Sequence, residues 1–178
     1  MLSDPSPFIK RWDERNTHIP LYGYFSVDAH LLYGPTFALF HLHLLLPQPL
    51  SQDFETARSQ VFSSLRKGRF YNAVEAAAQA RGFRFVAKKG GRALPMGETL
   101  ILDSPVVFEV MAPFSFRKEI RLICNGKQVA SSQKESLSFE AGLPGIFRAE
   151  VYLKERSPLD NNIPWIVSNP IFLRKEKK

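Results

Sequence analysis

Short runs that favour extended backbone, punctuated every few residues by Gly, Pro, Asn or Ser, fill the chain from Gly82 to Leu173. Glu119-Ile120-Arg121-Leu122-Ile123 alternates polar and apolar residues, and so does Phe147-Arg148-Ala149-Glu150-Val151-Tyr152-Leu153. A period of two sends successive side chains to opposite faces of a strand. Asn125-Gly126 sits between two such runs, and both residue types accept positive φ, so the pair is a strong hairpin signal. This pattern leaves no room for a helix longer than about ten residues. It predicts a two-sheet antiparallel sandwich of immunoglobulin-like type, with Phe108, Ile120, Leu122, Phe147, Val151 and Trp165 in its core.

The first part of the chain has another character. Residues 6–18 read as a short amphipathic helix, with Ser6 as cap, Pro7 in the first turn and Phe8, Ile9 and Trp12 on one side. Residues 21–27 (LYGYFSV) read as a strand. Gly34-Pro35 marks a turn, and the apolar run 36–46 reads as a second, buried strand closed by Pro47 and Pro49. Residues 51–67 give the clearest helix. Ser51 or Asp53 can cap it, Phe54, Ala57, Val61 and Leu65 recur at helical spacing, and Gly68 stands at its C-terminal end. That apolar stripe is expected to pack on strands 22–27 and 36–46. The fold class expected is therefore α+β: residues 1–78 a β/α segment, residues 79–178 the β-sandwich with a basic tail. A parallel sheet needs helices over both faces. Two helices and two or three strands do not supply them, so residues 1–78 read as part of something larger.

Composition narrows the function classes. The chain has 178 residues, 44% of them hydrophobic and 23% charged, which excludes a wholly disordered protein. A single cysteine, Cys124, excludes an internal disulfide and a cysteine-built zinc finger. The net charge of +7 is concentrated after residue 50 and includes the tail Arg174-Lys175-Glu176-Lys177-Lys178. No aromatic-and-basic RNA-binding motif or basic recognition helix accompanies it, so nucleic acid is not an expected partner. The first seven residues lack the basic and apolar regions of a signal peptide, and the apolar run 36–46 is too short to span a bilayer. The expectation is a cytoplasmic chain with no membrane segment.

Asp28-Ala29-His30 ends the first expected strand. Asp and His at i and i+2 of extended chain face the same side and can reach one metal centre, zinc, manganese or iron by ligand type. His41-Leu42-His43 has the same spacing, but its apolar flanks suggest polar-side histidines of an amphipathic strand. Cys124 reads as a small buried hydrophobe. No P-loop, dinucleotide fingerprint or Gly-x-Ser-x-Gly occurs.

The order Trp12-Asp13 helix, strand, Asp28-Ala29-His30 resembles the last barrel segment of the PHP (polymerase and histidinol phosphatase) family of metal-dependent phosphoesterases. Leu65-Arg66-Lys67-Gly68-Arg69-Phe70-Tyr71, the stretch Pro144–Val151 and the ending Pro164-Trp165-Ile166-Val167-Ser168-Asn169-Pro170-Ile171 are similar to the regions downstream of that segment in one subgroup. The resemblance implies late strands of a β/α barrel, an appended sandwich, and Asp28 and His30 as metal ligands. It also implies hydrolysis of a phosphate ester by metal-activated water. The family's His-x-His motif and middle-strand ligands have no counterpart before Asp28, so the resemblance implies an incomplete site, inactive alone, with the missing N-terminal barrel portion as partner. The competing expectation is a non-catalytic β-sandwich that binds a partner.

Overall fold

Alternating apolar and polar residues, many of them aromatic or β-branched, make strands the commonest regular element of the chain. In a computed structural model of the protein, which describes residues 4–26, 33–113, 117–155, 159 and 162–176, the helices are α1 (Ser6–Asn16), α2 (Tyr33–Phe37) and α3 (Phe54–Arg66). The strands before the expected sandwich are β1 (His41–Leu44) and β2 (Phe70–Ala73). Next come β3 (Arg84–Lys89), β4 (Arg92–Pro95), β5 (Thr99–Ile101), β6 (Val106–Met111) and β7 (Lys118–Cys124). The remainder are β8 (Lys127–Ser132), β9 (Ser136–Ala141), β10 (Gly145–Leu153), β11 (Ile166–Ser168) and β12 (Ile171–Arg174).

Two sheets form. The smaller runs β4-β3-β6-β9, antiparallel throughout. The larger is built on β10, flanked on one side by β7 and then β8. On its other side β10 meets two strands end to end. Gly145–Phe147 pair with β12, and Glu150 and Val151 pair with β11. The sheet forks there: β11 leads on to β2 and β1, whereas β12 leads to β5. Asn169-Pro170 lies in the fork, because a proline has no amide to continue a ladder.

The expected core is found. Phe108, Ile120, Leu122, Phe147, Val151 and Trp165 are all buried. Phe108 of the smaller sheet stacks on Phe147 of the larger, ring centroids 4.1 Å apart, so the two sheets meet face to face. Asn125 and Gly126 both have positive φ (49° and 78°) and turn β7 into β8. This is the backbone a two-residue hairpin of the right twist requires.

The β/α barrel segment is not found. The fold is β-rich, two mostly antiparallel sheets with short helices beside them. A barrel segment needs adjacent parallel strands joined through helices. Here β1 runs antiparallel to β2 (His41↔Ala73, His43↔Tyr71), and β2 antiparallel to β11, so both belong to the large sheet of the sandwich. The run 36–46 is divided between α2 and β1, and residues 21–26 form no strand ladder.

Helix α3 has the ends its sequence predicts. Asp53 caps it by accepting from the Thr56 amide (2.9 Å), and Gly68 stands just beyond it with φ 64°. Its apolar stripe is covered only in part: Ala57, Val61 and Leu65 are half-buried, and Phe54 is 72% exposed. Helix α1 is entered differently from expectation, with Asp4 rather than Ser6 accepting the first free amide, that of Ser6 (2.9 Å).

Charged groups line the outer face of β7 and β10. Arg121 donates to Glu119 (2.7 Å), and Lys154 lies 2.8 Å from the same carboxylate. The Arg121 hydrogen bond, helped by Lys154, holds the Glu119 carboxyl at about 2. A folded-state value below the unfolded one contributes stability above pH 4.5 that is lost as pH falls toward 2. Glu119→Gln is therefore expected to flatten the melting temperature over that window while leaving the slope above pH 6 unchanged. An unaltered acid limb would count against this role.

Candidate functional site

Asp28 and His30 lie outside the described residues, which stop at Ser26 and resume at Tyr33. Residues 21–26 join no ladder and are held by hydrogen bonds with side chains. Asn72, on β2, accepts from the Phe25 amide (2.8 Å) and donates to the Gly23 carbonyl (2.9 Å). Asn169, in the fork of the large sheet, accepts from the Gly23 amide (2.8 Å) and donates to the Phe70 carbonyl (3.0 Å). Both asparagines are fully buried. A buried amide left unpaired costs about 1–3 kcal/mol, so these two clamps fix the segment as firmly as a ladder would. Trp12 of α1 donates to Leu21 O (3.1 Å), and Asn16 accepts from the Leu21 amide (2.7 Å).

The ending Pro164–Ile171 is thereby explained as structural. Trp165 is buried and donates to Ala78 O (2.8 Å), Ser168 Oγ accepts from the Ala149 amide (2.8 Å), and Asn169 clamps residue 23. Asp13 is structural too. Its carboxylate takes two hydrogen bonds from the buried guanidinium of Arg148 on β10 (2.7 and 2.6 Å), which tie α1 to the sheet.

Among the described residues, the potential metal ligands that the fold brings together are His41, His43 and Glu75. Residues 41 and 43 share one face of β1, and their antiparallel partners Ala73 and Tyr71 share that face of β2. Continuing the alternation past Ala73 puts Glu75 on the same side. His43 Nε2 lies 3.0 Å from Glu75 Oε2, and the candidate ligand atoms of all three residues fall within 4.8 Å of one another. His43 lies flat on the Tyr71 ring, centroids 4.6 Å apart and planes 3° from parallel. The Tyr71 hydroxyl donates to Ala80 O (3.0 Å), and the Ala80 amide points at both oxygens of Glu75 (3.3 Å each). Burial, with the Glu75 charge next, pushes the Tyr71 phenol up to about 12, so it remains a donor over the working pH range. His41 is exposed, and the His43 and Glu75 side chains are about one-fifth exposed.

An apolar groove of about 710 Å3, lined by none of these three residues, is walled by α1 through Phe8 and Trp12, by Phe25, by Leu39 and Phe40, and by Ile163. No family model and no curated protein matches this sequence.

The sequence alone places His41 and His43 as polar-side strand residues and does not single out Glu75. The alternation Tyr71, Ala73, Glu75 is a usable signal for the carboxylate. The pairing of residues 41–44 with 70–73 is not, because 25 or more residues and a helix intervene. Cys124 is half-buried on β7 and burial pushes its thiol up, as befits a packing residue rather than a nucleophile. Among the described residues no helix is long and apolar enough to cross a membrane.

Proposed function

We propose that this chain is the carboxy-terminal part of a metal-dependent phosphoesterase of PHP type, an accessory β-rich piece that docks on a separate body bearing most of the metal ligands. The observation that carries the reading is where apolar surface is left uncovered. Of thirteen exposed large hydrophobic residues among the described ones, nine fall between Phe8 and Phe62. Phe8 (77%), Phe54 (72%) and Phe37 (59%) lead them, on α1, α3 and α2. Single exposed apolar side chains are ordinary; nine within one third of the chain, five of them on α1, α2 and α3, mark a surface meant to be covered. The resemblance of Asp28-Ala29-His30 supplies the reaction class: a bound metal that activates water for attack on a phosphate ester. Two ligands fall short of the three or four protein groups a stable catalytic metal needs, so the chain is proposed to be inactive by itself.

The test is to read the DNA upstream of the Met1 codon for a β/α segment with His-x-His, and to co-express that segment with this chain. Co-purification and manganese-dependent hydrolysis of bis(p-nitrophenyl) phosphate are expected, both weakened by Phe8→Asp and Phe54→Asp. Each replacement is on an exposed position, so folding should survive. If no such segment exists, or if it neither binds nor hydrolyses, the sandwich is better read as a non-catalytic binding module.

A further inference from the structure

We propose that His41, His43 and Glu75 form a binding site for one divalent transition-metal ion, with zinc the best fit. This stands independently of the phosphoesterase reading and of Asp28 and His30. Two imidazoles and one carboxylate are a ligand set for zinc, iron or manganese, whereas calcium and magnesium want oxygen donors. Among the three metals, a nitrogen-rich site binds zinc most tightly.

The geometry supports a site rather than a chance meeting of three side chains. In a tetrahedral zinc site, with ligand bonds of about 2.1 Å, neighbouring donor atoms sit roughly 3.4 Å apart. His43 Nε2 and Glu75 Oε2 are already 3.0 Å apart, and the widest separation in the cluster is 4.8 Å at most. Closing that gap asks for movement of about an ångström, within reach of one rotamer adjustment by the exposed His41. The two inner ligands are held from behind. Tyr71 fixes the plane of His43 by stacking, and the Ala80 amide holds Glu75. Such supporting contacts orient metal ligands and raise affinity. The outer ligand is open to solvent, leaving the remaining coordination position for water or a small anion.

A simpler role for these residues is a hydrogen-bonded His43–Glu75 pair at the edge of the large sheet. That pair gives His41 no part to play and predicts no metal affinity. Calorimetric titration of the chelator-treated chain with zinc chloride, and separately manganese chloride, separates the two. Zinc is expected to bind one per chain with micromolar affinity or tighter, and at least tenfold more tightly than manganese. His41→Ala and Glu75→Gln are each expected to weaken zinc at least tenfold. His41 is exposed, and Gln keeps the shape and the Ala80 hydrogen bond, so neither change should unfold the protein; circular dichroism checks this. Cobalt substitution gives a second readout, a visible absorption band lost in both variants. Asp28→Asn and His30→Ala should leave zinc binding intact. Absence of stoichiometric zinc binding overturns the proposal, and so does binding that survives His41→Ala and Glu75→Gln. Binding lost only with Asp28→Asn or His30→Ala moves the site to that segment and overturns the proposal equally.

Discussion

Gly97→Ala is expected to destabilise the protein by about 4 kcal/mol, lowering its melting temperature by roughly 8–16 °C for a chain of this size. Two penalties combine. Gly97 has φ 90°, a conformation that L side chains rarely adopt. A Cβ built there would overlap the carbonyl oxygen of Lys67, which is main chain and cannot swing aside. The position cannot simply relax either. The Gly97 amide donates to Pro170 O (2.7 Å) in the fork of the sheet, and its carbonyl accepts from the Tyr22 hydroxyl (3.1 Å). Gly142→Ala is the control: its φ is ordinary and no atom lies within 4 Å of the added carbon, so a change within about 1 kcal/mol is expected. Urea denaturation of both variants checks the pair, and equal effects would show that the close approach is not what requires glycine.

Arg148→Met is expected to cost about 3–5 kcal/mol, because it strands the buried Glu150 carboxylate and that of Asp13, whose side chain is only 11% exposed. Arg148 is 3% exposed and joins Asp13 of α1 to Glu150 on its own strand, the latter pair at 2.5 Å. Glu150 also accepts from the Tyr152 hydroxyl (2.8 Å), which holds it in place whether or not the guanidinium is present. Adding Asp13→Asn and Glu150→Gln to Arg148→Met should recover much of the loss, since uncompensated charge rather than missing attraction carries the penalty. Trp12, which sits over the Arg148 guanidinium at 5.7 Å, reports the outcome through its fluorescence. A single variant as stable as the parent would mean that α1 is held by packing alone.

The features legible in the sequence are local. Asn125-Gly126 specifies its hairpin because both φ values are properties of those two residues. Asp53, Gly68 and the alternation in β7 and β10 work for the same reason, each signal and its consequence lying within a few residues. Residues 21–26 mislead because their aromatic and β-branched composition is strand-like while their hydrogen-bond partners are the side chains of Asn72 and Asn169, 47 and 146 positions away. Nothing in LYGYFSV announces that. The stretch from Trp165 to Arg174 holds two strands, β11 and β12, divided at Asn169-Pro170, where the missing amide of proline favours two strands over one. The histidine and glutamate cluster stays hidden because it depends on β1 pairing antiparallel with β2, a long-range choice made by the sandwich and not by either strand.

The clamps on residue 23 also set a timetable. Gly23 waits for Asn169, and Asp13 waits for Arg148, 135 positions downstream. A ribosome adding 5–20 residues per second inserts a delay of roughly 7–30 s between the synthesis of Gly23 and of its partner, far longer than a helix or hairpin takes to form. During that interval α1 lacks its ion pair, and the segment after it has at most the Asn72 clamp. Residues 12–23 are therefore among the last to be fully secured although they precede every strand of the two sheets, and the nascent protein must hold Trp12 without its Arg148 neighbour until β10 has been made.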